Sequence, residues 1–83
     1  MAIEFDPAKD AANIAKHGVS LIRAGELEGL VVVPDGRFEE PRFRGYGLID
    51  GVAFCLAFTL RGDVVRAISL RRTHAKEYRR YAP

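Results

Sequence analysis

The sequence predicts an α+β domain, with an antiparallel sheet of about four strands, two N-terminal helices and one C-terminal helix. Three observations carry that prediction. Residues 7–17 hold a two-faced helical pattern with a cap at each end; residues 52–72 hold two apolar strands joined by a tight turn; residues 74–81 return to a charged helical pattern. With 83 residues the chain has room for one domain with a thin core. A single layer of helices against one face of the sheet is the expected arrangement.

Each element has a local reason. Ile3-Glu4-Phe5 alternates as a short strand does, and Asp6-Pro7 then supplies a helix cap and a first-turn proline. The spacing predicts a helix from Pro7 to about His17. At 100° per residue, Ala8, Ala11, Ala12, Ile14 and Ala15 fall on one side, and Lys9, Asn13, Lys16 and His17 on the other. Gly18 suits the left-handed position that ends a helix, with Lys16 and His17 near the negative end of its dipole. Ser20 caps a second helix, in which Leu21, Ala24 and Leu27 recur until Gly29, although Gly25 weakens it.

Leu30 to Val33 is an apolar strand stopped by the turn signal Pro34-Asp35-Gly36. After a polar stretch from Arg37 to Pro41, the segment Arg42-Phe43-Arg44-Gly45-Tyr46 leads to Asp50-Gly51, the signature of a type I′ hairpin. Val52 to Leu60 is apolar on both faces, so it is expected to be central and covered. Arg61-Gly62-Asp63 turns the chain into the last strand, Val64 to Arg72, and Thr73 is expected to cap a helix from His74 to about Tyr81. Strict alternation in the last strand puts Arg66 and Arg72 with Ile68 and Leu70, and Arg71 with Val65, Ala67 and Ser69.

Composition excludes several function classes. No apolar stretch approaches the ~20 residues of a membrane span, and Met1 to Asp6 lack the pattern of a secretory leader, so the cytoplasm is expected. The lone Cys55 has no partner for a disulfide and the two histidines lie far apart, so neither a bridge, a metal nor a cofactor is expected. No glycine loop for nucleotides and no nucleophile elbow is present. Charge, however, is unevenly spread: residues 1–40 hold four Lys/Arg against eight Asp/Glu, and residues 41–83 hold nine against three. The second half is therefore the one suited to a polyanion. Arg61, Arg66, Arg71, Arg72, Lys76, Arg79 and Arg80 crowd there, with Tyr78 and Tyr81 among them. Guanidinium groups fork onto phosphate oxygens and aromatic rings stack on unpaired bases, a combination suited to single-stranded nucleic acid. Some of these arginines, Arg66 in particular, are equally suited to pairing with acidic residues of the first half.

The stretches "IEFDPAKDAANIAKHGVSL", "EPRFRGYG" and "TLRGDVVRAISLRRTHAKEYRRY" together resemble the BrnT family of bacterial type II toxins across nearly the whole chain. The family pattern K-x-x-x-N-x-x-K-H-G falls on Lys9, Asn13, Lys16, His17 and Gly18, the segment E-x-R-F on Glu40, Arg42 and Phe43, and the arginine-rich close on Arg66 to Thr73. Pro41, Ala67, Leu70 and Thr73 depart from that pattern, and none of them removes an ionisable candidate. The resemblance implies a RelE-like fold and a ribonuclease that arrests growth when freed from its antitoxin. It also implies a ribbon-helix-helix partner, BrnA, through which alone operator DNA is bound, and a toxin dimer within a two-to-two complex.

Cleaving RNA without a metal takes a base near the 2′-hydroxyl, a cation for the phosphorane and an acid for the departing 5′-oxygen. His17 is the natural acid or base, Lys16, Arg71 and Arg72 are candidates to hold the phosphate, and Asn13 is placed to orient a substrate group or the imidazole. Glu40 or Glu77 is the alternative base, Glu77 being equally placed to pair with Arg80. Lys9, Asn13, Arg42, Arg61, Lys76, Arg79 and Arg80 complete the expected RNA-binding set. Two other functions fit the same features: a non-catalytic toxin that binds a protein target in the manner of ParE, and a nucleic-acid-binding module without activity.

Overall fold

Asp6 and Gly18 bracket the first helix as their chemistry requires. In the computed structural model, which describes residues 2–37 and 39–82, helix α1 spans Pro7–His17. Extended Asp6 accepts the Ala8 N–H at 2.8 Å, and Gly18, at φ 73°, donates to the Ile14 carbonyl at 2.8 Å. Before it lies strand β1, Ile3–Glu4, and after it come a 3₁₀ segment, Leu21–Glu26, then β2 (Glu28–Asp35), β3 (Arg42–Ile49), β4 (Val52–Arg61), β5 (Val64–Arg72) and α2 (Ala75–Tyr81). Strands β2 to β5 form the expected antiparallel meander. Asp50 and Gly51 both take positive φ, 51° and 77°, as a type I′ turn demands.

The sheet is mixed and has five strands rather than an antiparallel four, in the order β1-β5-β4-β3-β2. The short N-terminal strand joins it, running parallel to β5 with Ile3 opposite Val65 and Glu4 opposite Arg66. Arg66 meets Glu4 across that junction at 3.4 Å, the pairing with the acidic first half that its position suggested. Beyond the reach of β1 the outer edge of β5 is capped by a side chain. Asn13 of α1 donates from Nδ2 to the Leu70 carbonyl at 2.9 Å and accepts the Leu70 N–H at Oδ1 at 3.0 Å. Its second Nδ2 hydrogen reaches the Val19 carbonyl at 2.9 Å. The amide thus serves β5 as one residue of a neighbouring strand would.

This changes which face of α1 looks inward. The two faces are those the spacing separates, but the inward contact comes from the polar one: Asn13 is 5% exposed, whereas Ile14 is 46% exposed and Ala8, Ala11, Ala12 and Ala15 are open to solvent, as are Lys9 and Lys16 beside Asn13. Asp10, on the inner side, accepts the Leu21 N–H at 2.7 Å and the Ser20 hydroxyl at 3.0 Å, fixing the junction to the next segment. That segment is 3₁₀ rather than α-helical. It is six residues long and contains Gly25, too short and too flexible to sustain α-helical bonding.

Three further departures have local causes. Strand β2 runs through Gly29 and Pro34, where a strand of residues 30–33 ending in a turn was expected. It is the sheet edge, where a proline without an N–H is tolerated, and the positive φ of Gly29 falls in a bulge between Glu28 and Val31. In β5 the pairing shifts between Ala57, opposite Ser69, and Phe58, opposite Ala67, leaving Ile68 as an extra residue. Strict alternation is broken there, so Leu70 and Arg72 take the face of Val65 and Ala67, and Arg71 takes the face of Arg66 and Ser69. Thr73 does not cap the last helix; its N–H returns to the Ala53 carbonyl at 3.0 Å, and His74 holds the cap position without a side-chain bond.

The helices do not share one face. Val19, Leu21 and Ala24 pack with Ile49, Phe54, Leu56 and Leu70 on the core side. Helix α2 lies across the other side, where Tyr81 stacks on Tyr46 with ring centres 4.8 Å apart. Gly47 shows how closely β3 passes β2: a Cβ there would stand 3.0 Å from the Glu28 carbonyl oxygen and 3.2 Å from the Leu27 Cβ. Because backbone must give way, Gly47→Ala is expected to destabilise the fold by about 1–3 kcal/mol, read as a lower melting temperature in thermal unfolding.

Candidate functional site

Register across β3, β4 and β5 aligns Tyr46, Cys55 and Arg71 in one row on the face away from the core. Helix α2 clamps that row with two residues one turn apart. Glu77 accepts the Tyr46 hydroxyl at 2.7 Å and both terminal nitrogens of Arg71 at 3.0 and 3.2 Å. Tyr81 stacks on Tyr46, and the Arg44 guanidinium lies 5.1 Å over the Tyr81 ring while donating to the Tyr46 hydroxyl at 3.1 Å. Two of the five N–H donors of Arg71 are committed to Glu77, and three remain among the described residues. Its plane is thereby fixed while most of its bonding capacity stays available.

Two cavities meet at Arg71. The larger and more open, about 460 Å³, lies between α1 and β5 and is lined by Lys9, Asn13, Lys16, His17, Ser69 and Arg71. The other, about 220 Å³, continues across the sheet and is lined by Asp35, Arg42, Arg44, Cys55, Ile68 and Arg71, among others. Together they form a trough rich in cations. Lys9, Lys16 and His17 have no ion pair or hydrogen-bond partner among the described residues, whereas Asn13 spends both amide hydrogens and its carbonyl within the protein.

The electrostatics of the trough are set by its two carboxylates. The Arg71 fork, with help from the Tyr46 hydroxyl, holds Glu77 well below the ordinary range, at about 2, against the opposing effect of burial. Asp35 is likewise held at about 2, chiefly by side-chain bonds from Arg37 at 2.8 and 2.9 Å. Burial and the bond to Glu77 push the Tyr46 phenol far above its usual value, and Arg44 and Arg80 draw the Tyr81 phenol down. Burial also raises the Cys55 thiol, which makes it a poor nucleophile.

A pH dependence follows. Both carboxyls ionise at lower pH in the folded chain than in the unfolded one, so between about pH 2 and pH 4 the unfolded chain binds more protons. The stability that these two carboxylates contribute is fully present above about pH 5 and is lost as pH falls through that window. Melting temperatures recorded from pH 6 to pH 3 are expected to decline, with a shallower decline for Glu77→Gln.

Of the residues the sequence singled out, the structure brings Lys9, Asn13, Lys16, His17, Arg42, Glu77 and Arg71 to the trough or its border. Arg72 lies on the core face, where it borders a separate depression with Arg23 and Asp50. Arg61, Lys76, Arg79, Arg80 and Glu40 are exposed and line neither cavity. Sequence reasoning passed over Arg44, Tyr46 and Asp35 as site residues. Arg42, Arg44 and Tyr46 at alternate positions share one strand face, a signal that was present, whereas Asp35 is hidden inside a turn-like triplet.

A family model described as "Ribonuclease toxin, BrnT, of type II toxin-antitoxin system" matches residues 5–77. The chain belongs to the BrnT family. The matched span takes in α1, the residues lining the trough and Glu77, so this BrnT-family ribonuclease toxin carries those groups within its family region, with Tyr81 just beyond it. Among solved structures, the chain is similar to the ribonuclease toxin BrnT of Brucella abortus, with a TM-score of 0.74 and 24% identity, covering 89% of this chain and 97% of that one. That likeness supports the shared α+β fold of BrnT. Among curated proteins no relative matches. Among the described residues no helix is long and apolar enough to cross a membrane.

Proposed function

We propose that this ribonuclease toxin cuts RNA in the trough between α1 and β5, in the cytoplasm, on a RelE-like scaffold and without a metal ion. One observation carries the reading: Lys9, Lys16 and His17, unpaired among the described residues, converge on the same cavity as an arginine whose plane is fixed by Glu77. The phosphate of a bound strand is held by Arg71 and the two lysines, which supply the positive charge that a phosphorane needs. His17 exchanges the proton, because its imidazole has one ring nitrogen to accept and one to donate and lines the same cavity as Arg71. Glu77 is a positioning residue for Arg71 rather than the base; its oxygens are already bonded and its affinity for a proton is low.

Inhibition follows the family pattern. A BrnA-type ribbon-helix-helix antitoxin covers the toxin, operator DNA is bound only through that antitoxin, and the inactive form is a two-to-two complex built on a toxin dimer. In purified protein, His17→Ala is expected to lower RNA cleavage by about a hundredfold or more with an unchanged circular-dichroism spectrum. Wild-type cleavage is expected to persist in EDTA. A His17→Ala protein that cleaves at the wild-type rate would move the proton transfer away from α1, and activity lost in EDTA and restored by a divalent ion would overturn the metal-free reading.

A further inference from the structure

The smaller cavity has features that the phosphate chemistry does not use. It is about 220 Å³, below the ~300 Å³ at which pockets for drug-sized ligands begin, and a size suited to one planar base. Cys55, Ala57 and Ile68 give it an apolar floor. On its rim stands Asp35, 8% exposed, whose Oδ1 accepts two bonds from Arg37 and whose Oδ2 accepts one, leaving Oδ2 an acceptor position to spare. Arg44 stands beside it, with Nε 4.0 Å from that same Oδ2, held in place by Tyr46 and Tyr81. One acceptor next to anchored guanidinium donors, over an apolar floor, is the layout of a recognition site.

We propose that this cavity is a guanine pocket, which selects the nucleoside adjoining the phosphate held at Arg71. The inference rests on the reading that the trough binds RNA. Because the two cavities share Ile68, Ser69 and Arg71, a strand whose phosphate sits at Arg71 delivers its neighbouring base directly to the smaller one. Guanine presents two acceptors, O6 and N7, contiguous with the donors N1–H and N2–H₂. The acceptors suit the terminal nitrogens of Arg44, whose Nε is buried and whose Nη1 spends one hydrogen on Tyr46, and the donor edge suits Asp35 Oδ2. Adenine has a donor where guanine has O6, and pyrimidines leave part of the volume empty.

The test uses wild-type protein and oligouridine RNAs that carry one guanosine, adenosine, cytidine or 7-deazaguanosine. Binding is measured in parallel on the same sequences with 2′-deoxy sugars, which the enzyme cannot cut. Cleavage next to guanosine is expected to exceed that next to adenosine or cytidine by about tenfold or more, with 7-deazaguanosine losing most of the advantage. Asp35→Asn is expected to shrink the guanosine-to-adenosine ratio; if that variant does not fold, the substrate series decides the matter alone. Equal cleavage next to every base overturns the pocket and leaves the nuclease site standing. Guanine-selective binding of the deoxy strands without cleavage of any RNA upholds the pocket and overturns the site reading. No preference in either measurement overturns the pocket.

Discussion

Arg71→Ala is expected to lower kcat/KM for RNA by about a hundredfold or more, the scale lost when one preorganised donor is removed from a developing negative charge. The reason is geometric as much as electrostatic. Glu77 grips both terminal nitrogens, so the guanidinium meets the substrate already oriented and loses little freedom when the phosphate gains charge. Arg71→Lys restores a charge without the fork and is expected to recover only part of the activity. Glu77→Gln should fall between wild type and Arg71→Ala, because a neutral amide holds the arginine more weakly. Kinetics on purified proteins, paired with melting curves that show each variant folded, check the series. Wild-type rates in Arg71→Ala would remove β5 from the phosphate site.

The largest effect on stability is expected at Asn13. Its three bonds satisfy both backbone groups of Leu70 and the carbonyl of Val19 in a buried setting. Asn13→Ala leaves those groups without partners, and with about 1–3 kcal/mol for a buried unsatisfied group, partly relieved by entering water, a loss of about 2–4 kcal/mol is expected. In a domain of this size that lowers the melting temperature by roughly 10 °C or more. Asn13→Asp is expected to be no milder, since it removes both donors and turns a negative oxygen toward two carbonyls. A melting temperature within a degree of wild type in Asn13→Ala would show that α1 is held by other contacts.

What the chain disclosed about itself was mostly local. Asp6, Gly18, Asp50 and Gly51 act through their own backbone preferences, and each does in the fold what it was expected to do. The orientation of α1 was not legible, because an alanine methyl gains little on burial, while an amide with three bonds to buried backbone fixes the helix from a strand 57 residues away. The bulge at Ile68 is equally silent in sequence, and it decides which face each of the two arginines takes: Arg71 joins Arg66 on the trough side and Arg72 turns to the side of Val65 and Ala67. Charge counting pointed to the second half of the chain, yet Lys9, Lys16 and His17 reach the trough from the first half, through contacts that only the finished fold provides.

The order in which the chain is assembled gives the Asn13 contact a further meaning. The turns that link β3 to β4 and β4 to β5 close over a few residues, so those hairpins form quickly. An isolated helix of eleven residues is marginal in water, and among the described residues α1 and β1 join the sheet through β5, by pairings near residues 65 and 70. Closing that long loop belongs late in folding. The trough has one wall on α1 and the other on β5, so it comes into existence with that last docking step. On the proposed reading, a growing or half-folded chain does not yet carry the cutting site: Lys9, Lys16 and His17 of α1 meet Arg71 only once β5 and the α2 residue Glu77 have been made.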